Sequence, residues 1–467
     1  MACGEQPAPA DLVGWPPPTM PNEASPSAAG ERGPDKVVRE AEFAQHLGTV
    51  TSPFHTSVRR LLERGPESWR RRHLNQLVHD AHQLESYLDE FGARYNRTFH
   101  AYTELIAALR GLGHAAYVLA HVRQRMESYH AEQWQPEGLS GEVGQRLARA
   151  SNELHAWLAG LLSTALQDAQ RAGFGPVDAP LGSEAWLPVE VRRRLPRNLG
   201  QDELQDEEQR IADVASKFIQ AADLMGYIGH SNGLSPAARR ELIQRACSEE
   251  QARVYEATVH NLQSSYDTYI RNTILEARDP RLKLLRGQAS AALHCLEAVT
   301  ELIHFLERHA SPSRLATEES VQRLSDLVPR EAVERVVVED LLGPARELLH
   351  GGRRLAEDLL PLYSRVRELE VELLDGVAFH ARPAALIFGI VQHHGLPVEL
   401  ELGGRTCNAG SILEMLLAVG SAPEARRFVF RGDERPLRDI QTLFESGLGE
   451  QSQPLPSSLG YLRRPGS

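Results

Sequence analysis

Gly376-Val-Ala-Phe-His380-Ala381-Arg382-Pro383-Ala384-Ala385 is the stretch on which the fold of the C-terminal part turns. Histidine stands two residues before arginine, proline follows, and an apolar run continues from Ala384 to Val391. Proline is at home in the first turn of a helix, where its missing N–H has no partner to lose. The stretch therefore predicts His380 at or just before a helix N-terminus, beside backbone N–H groups and the positive end of the dipole. Arg382 adds a fixed cation with a planar fork of donors. A nucleophilic imidazole in that setting is suited to carrying a phosphoryl group.

The segments on either side extend this reading. Arg367 to Leu374 alternates as a strand leading into the histidine loop. Arg382 to His393 reads as a helix with Ala385, Phe388, Ile390 and Val391 on its apolar face. Pro397 to Leu402 alternates apolar and charged residues, Gly403-Gly404 turns it, and Arg405 to Asn408 pairs back. Ser411 to Val419 is a short amphipathic helix ending at Gly420, Arg427 to Phe430 another strand, and Asp433 to Gly447 a last helix. The order is β-α-β-β-α-β-α.

This part of the chain resembles the HPr family, the histidine-containing phosphocarriers of the phosphoenolpyruvate-dependent sugar phosphotransferase system. The hallmark of that family is His-Ala-Arg-Pro-Ala, as in His380 to Ala384 here. Asn408-Ala-Gly-Ser411-Ile412-Leu413 is similar to the family's Asn-Ala-Lys-Ser-Ile-Met, and Gly432-Asp433-Glu434 to the Gly-x-Asp-Glu that opens its last helix. The resemblance implies an open-faced β-sandwich, four antiparallel strands with three helices on one face. It implies His380 as phosphoacceptor, Arg382 as stabiliser of the phosphoryl oxygens, and Ser411 as a regulatory phosphorylation site. Phe379, Ile412, Leu413 and Leu416 would form the docking face for an Enzyme I-like phosphotransferase, with phosphoenolpyruvate the ultimate donor. Such a protein is a carrier with a phosphohistidine intermediate rather than an enzyme. It needs no cofactor and passes its phosphate to a downstream acceptor protein or uses the added charge to alter how the helical region docks. Ala378, Phe379 and Gly410 replace the family's Gly, Leu and Lys. Ala378 and Gly410 motivate the alternative of an HPr-like docking module that is never phosphorylated.

The remainder of the 467 residues reads as helix, giving a multidomain α and α+β chain. Residues 1–35, rich in Pro, Ala, Gly and Ser, are expected to be disordered; 36–365 to form an all-helical bundle, 366–450 the HPr-like domain, and 451–467 a flexible tail. From Leu74 to Leu119 apolar positions recur alternately three and four apart, the pattern of one long helix in a bundle or coiled coil, with Gly111 and Gly113 marking a bend. Helices are also expected over Gly141–Ala172, Asp202–Met225, Ser235–Ala277, Leu285–Leu306 and Arg330–Arg367, the last interrupted at Gly343-Pro344 and running almost directly into the HPr-like part. Residues 173–200 read as a long loop ordered through Trp186 and Leu187. Seams of this kind build either an intramolecular bundle or a homo-oligomer.

Composition narrows the function classes. A net charge of −12 argues against a general nucleic-acid partner. Lysine occurs only at positions 36, 217 and 283, so nearly every base is arginine. Cys3, Cys247, Cys295 and Cys407 lie far apart, which points to neither a disulfide framework nor a zinc site. No apolar run approaches a membrane span and no secretory signal is read, so the expected location is cytoplasmic. His79 with His82, and His114 with His121, share helix faces without further ligands at metal spacing. Arg94-Tyr-Asn-Arg-Thr-Phe-His100 resembles the Arg-x-His motif of HEPN ribonucleases only loosely and is read as structural. Walker, GxGxxG and GxSxG motifs are missing. An active site within the helices is the weakest reading.

Overall fold

The computed structural model describes residues 38–175, 207–229, 231–310, 318–374, 376–449 and 455–462. The readings of residues 1–35 as disordered and of Trp186 and Leu187 as an ordering contact lie outside them. Helices dominate: α1 (Glu40–Val50), α2 (Ser52–Arg64), α3 (Arg71–Glu90), α4 (His100–Arg125), α5 (Leu139–Arg171), α6 (Glu207–Gly226), α7 (Pro236–Ala246), α8 (Glu249–Tyr269), α9 (Ile274–Arg278), α10 (Pro280–His304), α11 (Glu318–Leu327), α12 (Arg330–Arg335) and α13 (Gly343–Tyr363). The centre belongs to α4 and α10, which pack on each other; α4 also meets α3 and α5, and α10 meets α8 and α13. By length and composition α4 is apolar enough to cross a membrane, but 72% of its most apolar window is buried within the bundle.

The heptad seam from Leu74 to Leu119 is not one helix. Leu74 to Leu88 and Tyr102 to Leu119 are buried as the spacing predicts, yet Phe91 and Tyr95, on the same seam, are exposed, Tyr95 by 76%. The chain turns between α3 and α4. Gly92 takes the left-handed conformation (φ +67°) that ends helices, and the Asn96 side chain accepts from the amides of Thr98 (2.8 Å) and Phe99 (3.2 Å). Gly111 and Gly113 lie inside an unbroken α4. A Cβ at Gly113 would stand 3.3 Å from Val78, so that glycine lets α3 approach closely rather than bending the helix.

The stretch from Ser235 divides as well. Ser248 and Gln251 form a capping box that starts α8 afresh, and Thr273 caps α9. Asp279-Pro280, expected as a terminator, also starts α10: the Asp279 carboxylate accepts from the Arg281 amide. Ahead of Gly343-Pro344 the chain widens to a π-helical stretch over Val336–Leu342, which accommodates the ring clash a proline imposes on the preceding turn. Asp340 in that stretch is buried and paired by Arg149 and Arg335, each at 2.8 Å.

Helix α13 ends at Tyr363, and two residues later β1 (Val366–Glu372) begins a small sheet. Then follow α14 (Ala381–His394), β2 (Val398–Leu402), β3 (Arg405–Asn408), α15 (Ile412–Ser421), β4 (Arg427–Asp433) and α16 (Glu434–Glu445), the element order read from the sequence. All pairings are antiparallel and the strand order is β1-β4-β2-β3. Alternation decides the faces. Val398, Leu400, Leu402, Phe428 and Phe430 point inward into one core with Ile387, Ile390, Met415, Leu437, Ile440 and Phe444 from the three helices. The other face carries charge, with Arg431 bridging Glu368 (2.8 Å) and Glu401 (3.3 Å). Residues 455–462 depart from the expected flexible tail: Leu459 is fully buried in this core, and Tyr461 stacks on His393 at 3.7 Å.

Residues 44–467 form one compact unit, so the change to β structure at 366 is not a gap between bodies. The junction is built on Asp433, which is only 2% exposed. Its carboxylate accepts from the Arg365 amide (3.1 Å), the Arg435 amide (3.1 Å), Arg435 Nε (3.1 Å) and Gln209 Nε2 of α6 (3.2 Å). Alongside, Arg435 reaches Asp213 of α6 at 2.7 Å. Gly395, left-handed at the end of α14, lies against Gln220, whose amide nitrogen a Cβ would meet at 2.7 Å.

Burial pushes the Asp433 carboxyl up, but the Arg435 amide and guanidinium and the Gln209 amide outweigh it and hold it below its ordinary range. A depressed folded pKa gives stability that is present above the unfolded value of about 3.9 and is lost as pH falls through the folded one. Asp433→Ala is expected to cost about 3 kcal/mol or more, because it strands donors from three elements. Asp433→Asn is expected to flatten the loss of stability below about pH 4 relative to wild type. Urea titrations across pH check both.

Candidate functional site

The loop between β1 and α14 is held by alternation. Val377 and Phe379 are buried, Ala378 and His380 are exposed, and Pro383 and Ala384 are buried in the first turn of the helix. The two apolar anchors thus turn His380 outward. Its backbone is extended (φ −145°, ψ −164°), and it is the N-cap residue of α14. The Arg382 amide donates to Nδ1 of the imidazole at 3.3 Å, and the Ala384 amide donates to the His380 carbonyl at 3.1 Å. An accepting Nδ1 carries its lone pair unprotonated in the ring plane, so the neutral tautomer bears its proton on Nε2. Nδ1 therefore faces the N-terminus of the helix, where an anion is favoured. Arg382 is exposed beside it.

Phe379 does not belong to a docking face. It is 9% exposed and stacks on Phe428, ring centroids 5.1 Å apart at 22°, inside the core. The other three expected contact residues do lie together on α15. Leu413 is 68% exposed, and Ile412 and Leu416 are half-buried against the core. Leu417, one turn after Leu413 and 62% exposed, completes the row and is missing from the sequence-based set. Its signal was the apolar pair at i and i+4 on a helix too short to bury both. Helices α14 and α15 pack side by side, so this row flanks the helix that carries His380.

Ser411 has a structural task of its own. It is the N-cap of α15, and its hydroxyl accepts from the Glu414 amide at 3.3 Å. The preceding turn is closed by Asn408, whose side-chain oxygen accepts from the Gly410 amide at 2.7 Å. Asn408 in turn donates its amide to Glu414 at 3.0 Å.

The bundle contacts the sheet part at Asp433, Arg435 and Gly395, at the far end of α14 from His380. Fourteen residues of helix separate the two ends, about 21 Å.

Other expected chemistry is absorbed by packing. Arg94 lies 3.7 Å from Asp89 and 3.9 Å from Glu85 and Glu104, and His100 Nδ1 sits on the Arg94 carbonyl at 2.8 Å, a buried corner. His114 pairs with Glu301 at 3.0 Å, and that hydrogen bond raises its pKa against its burial. His121 packs edge-on against His294. Burial, with a nearby glutamate in each case, pushes Cys247 and Cys295 up to about 12, so neither is a thiolate nucleophile at neutral pH. Among the described residues no group of three or more His, Cys, Asp or Glu is placed to hold a metal ion.

No protein-family model, curated protein or solved structure matches the chain.

Ser411→Ala is expected to cost about 1 kcal/mol by leaving the Glu414 amide uncapped, whereas Ser411→Asp, which restores an acceptor, stays within about 0.5 kcal/mol of wild type. Thermal unfolding of the two variants checks the cap.

Proposed function

We propose that this chain is a phosphoacceptor of the HPr type, with His380 receiving a phosphoryl group from an Enzyme I-like phosphotransferase and phosphoenolpyruvate as the ultimate donor. The observation that carries the reading is the exposed His380 at the N-cap of α14, with Nδ1 aimed at the first-turn amide of Arg382. The lone pair of Nδ1 attacks phosphorus, the new N–P bond forms, and the bond from phosphorus to the donor breaks. The phosphoryl oxygens then lie where the N–H groups of the first turn and the Arg382 side chain favour negative charge.

Two further features support the reading. Four antiparallel strands with three helices packed on one face are in keeping with what the HPr resemblance implies. The Leu413 and Leu417 row on the neighbouring helix offers a partner an apolar contact beside the reacting histidine. We assign the role to regulation rather than bulk transport, because a carrier that shuttles between partners gains nothing from a helical body fixed to it. Ser411 as a kinase site is a separate proposal, in which the phosphate would sit at the N-terminus of α15.

Incubation of the full chain with phosphoenolpyruvate and Enzyme I is expected to give acid-labile, base-stable phosphate that disappears in His380→Ala. Failure to label, or label that survives the substitution, overturns the reading in favour of a docking module that is never phosphorylated. Leu413→Glu, at a site too exposed to matter for folding, is expected to slow the transfer from Enzyme I about tenfold or more while shifting stability by less than about 0.5 kcal/mol. Single-turnover labelling kinetics measure it; an unchanged rate removes α15 from the docking face.

A further inference from the structure

At the start of α3 the bundle opens into a cleft of about 910 Å³, within the range of about 300–1,000 Å³ found for small-molecule sites. Its walls carry Arg70, Arg71, Arg72 and Arg123, and none of its lining residues is acidic. Elsewhere in the bundle arginine is spent on ion pairs: Arg146 on Glu347, Arg149 on Asp340, Arg239 on Glu339, Arg286 on Asp267 and Arg335 on Glu153. Among the described residues no carboxylate pairs with any of the four arginines of the cleft, in a chain whose acids outnumber its bases. Four guanidinium groups gathered around one concavity without a paired carboxylate raise the local positive potential, which favours an anion there.

A neutral partner holds Arg71 in place without cancelling its charge. The Arg71 guanidinium lies over the Tyr117 ring at 4.7 Å and donates to its hydroxyl at 2.6 Å. Arg71 Nε is buried without an acceptor. Trp69, fixed by its indole N–H on the Leu61 carbonyl at 2.8 Å, packs against His155 with ring centroids 5.2 Å apart. Burial, and then Arg123, lower the pKa of His155, so the positive charge of the cleft is guanidinium charge.

Geometry narrows the ligand. Arg71 and Arg72 are successive helical positions, about 100° apart around the axis, and Arg70 precedes them in extended backbone. Side chains that fan out in this way do not converge on one phosphate with Arg123 of α4. They suit an anion with several charged groups along its length. We infer that this cleft binds a small molecule bearing two or more phosphates. The site is independent of His380: it lies on α3, α4 and α5, and nothing in the phosphoacceptor reading uses it.

Calorimetry of the full chain at low salt tests the assignment, with inorganic tripolyphosphate as probe and orthophosphate and a single-stranded oligonucleotide as the other arms. Tripolyphosphate is expected to bind one to one with submillimolar affinity, and orthophosphate far more weakly. Arg72→Gln and Arg123→Gln, both at exposed side chains, are each expected to weaken tripolyphosphate about tenfold or more, whereas Arg354→Gln, exposed on α13, leaves it unchanged. No binding at millimolar tripolyphosphate, or binding that the two cleft variants do not weaken, overturns the proposal. So does tighter binding of the oligonucleotide than of tripolyphosphate, because the cleft would then be a nucleic-acid surface.

Discussion

The two halves of this chain are held in register by one buried carboxylate. Asp433 takes donors from Arg365 just ahead of β1, from the start of α16 and from the flank of α6. Each donor would be stranded without it, and stranding a buried polar group costs more than the bond itself returns. A second carboxylate, Asp279, does the same on the other side of the linker. It caps α10, forms a fork with Arg281, and accepts the Tyr363 hydroxyl at 3.0 Å, fixing the last turn of α13. Only Ser364 and Arg365 lie between the helix held by Asp279 and the strand held by Asp433. A linker that short, pinned at both ends, leaves no hinge.

That constraint assigns the ends of the sheet domain their separate tasks. One end of α14 faces the bundle through Gly395, where the left-handed turn favours glycine and the Gln220 side chain lies close by. The other end presents His380. The bundle contacts at Asp433, Arg435 and Gly395 lie away from the exposed row of α15.

How much of this was legible follows from the range of each interaction. The sheet part was readable because its signals are local: strict alternation in Val398–Leu402, a Gly-Gly turn, and a proline three residues after a histidine. The α3–α4 break was misread because spacing by three and four carried across it by coincidence, so that Tyr95 fell on the seam while lying in solvent. The local signals were there, in Phe91-Gly92 and Asn96, and outranked the periodicity. Ser248 and Gln251 likewise spelled a capping box inside an expected continuous helix. Phe379 was placed on a docking face by analogy, when the alternation of Val377 and Phe379 around Ala378 already pointed it inward. Asp433 as a junction, and the placing of Arg70, Arg71, Arg72 and Arg123 around one cleft, were not legible. Their partners lie tens to hundreds of residues away, and no periodicity links them.

The same geometry decides how a phosphoryl group on His380 would act. It adds about two negative charges roughly 21 Å from the bundle contact at Gly395. In water each charge at that distance is worth about 0.2 kcal/mol against a unit charge, and a Debye length of about 8 Å reduces even that by more than tenfold. Asp433 is in any case compensated by Arg435. Direct repulsion between a phosphoryl group on His380 and the junction is therefore small. A charge that acts so weakly at the junction acts mainly where it sits. Its effect falls on whatever covers His380 and the Leu413–Leu417 row, by adding charge-assisted hydrogen bonds to one partner or by forcing desolvation on another. On the proposed reading, the helical body would be the fixed platform for that exchange of partners.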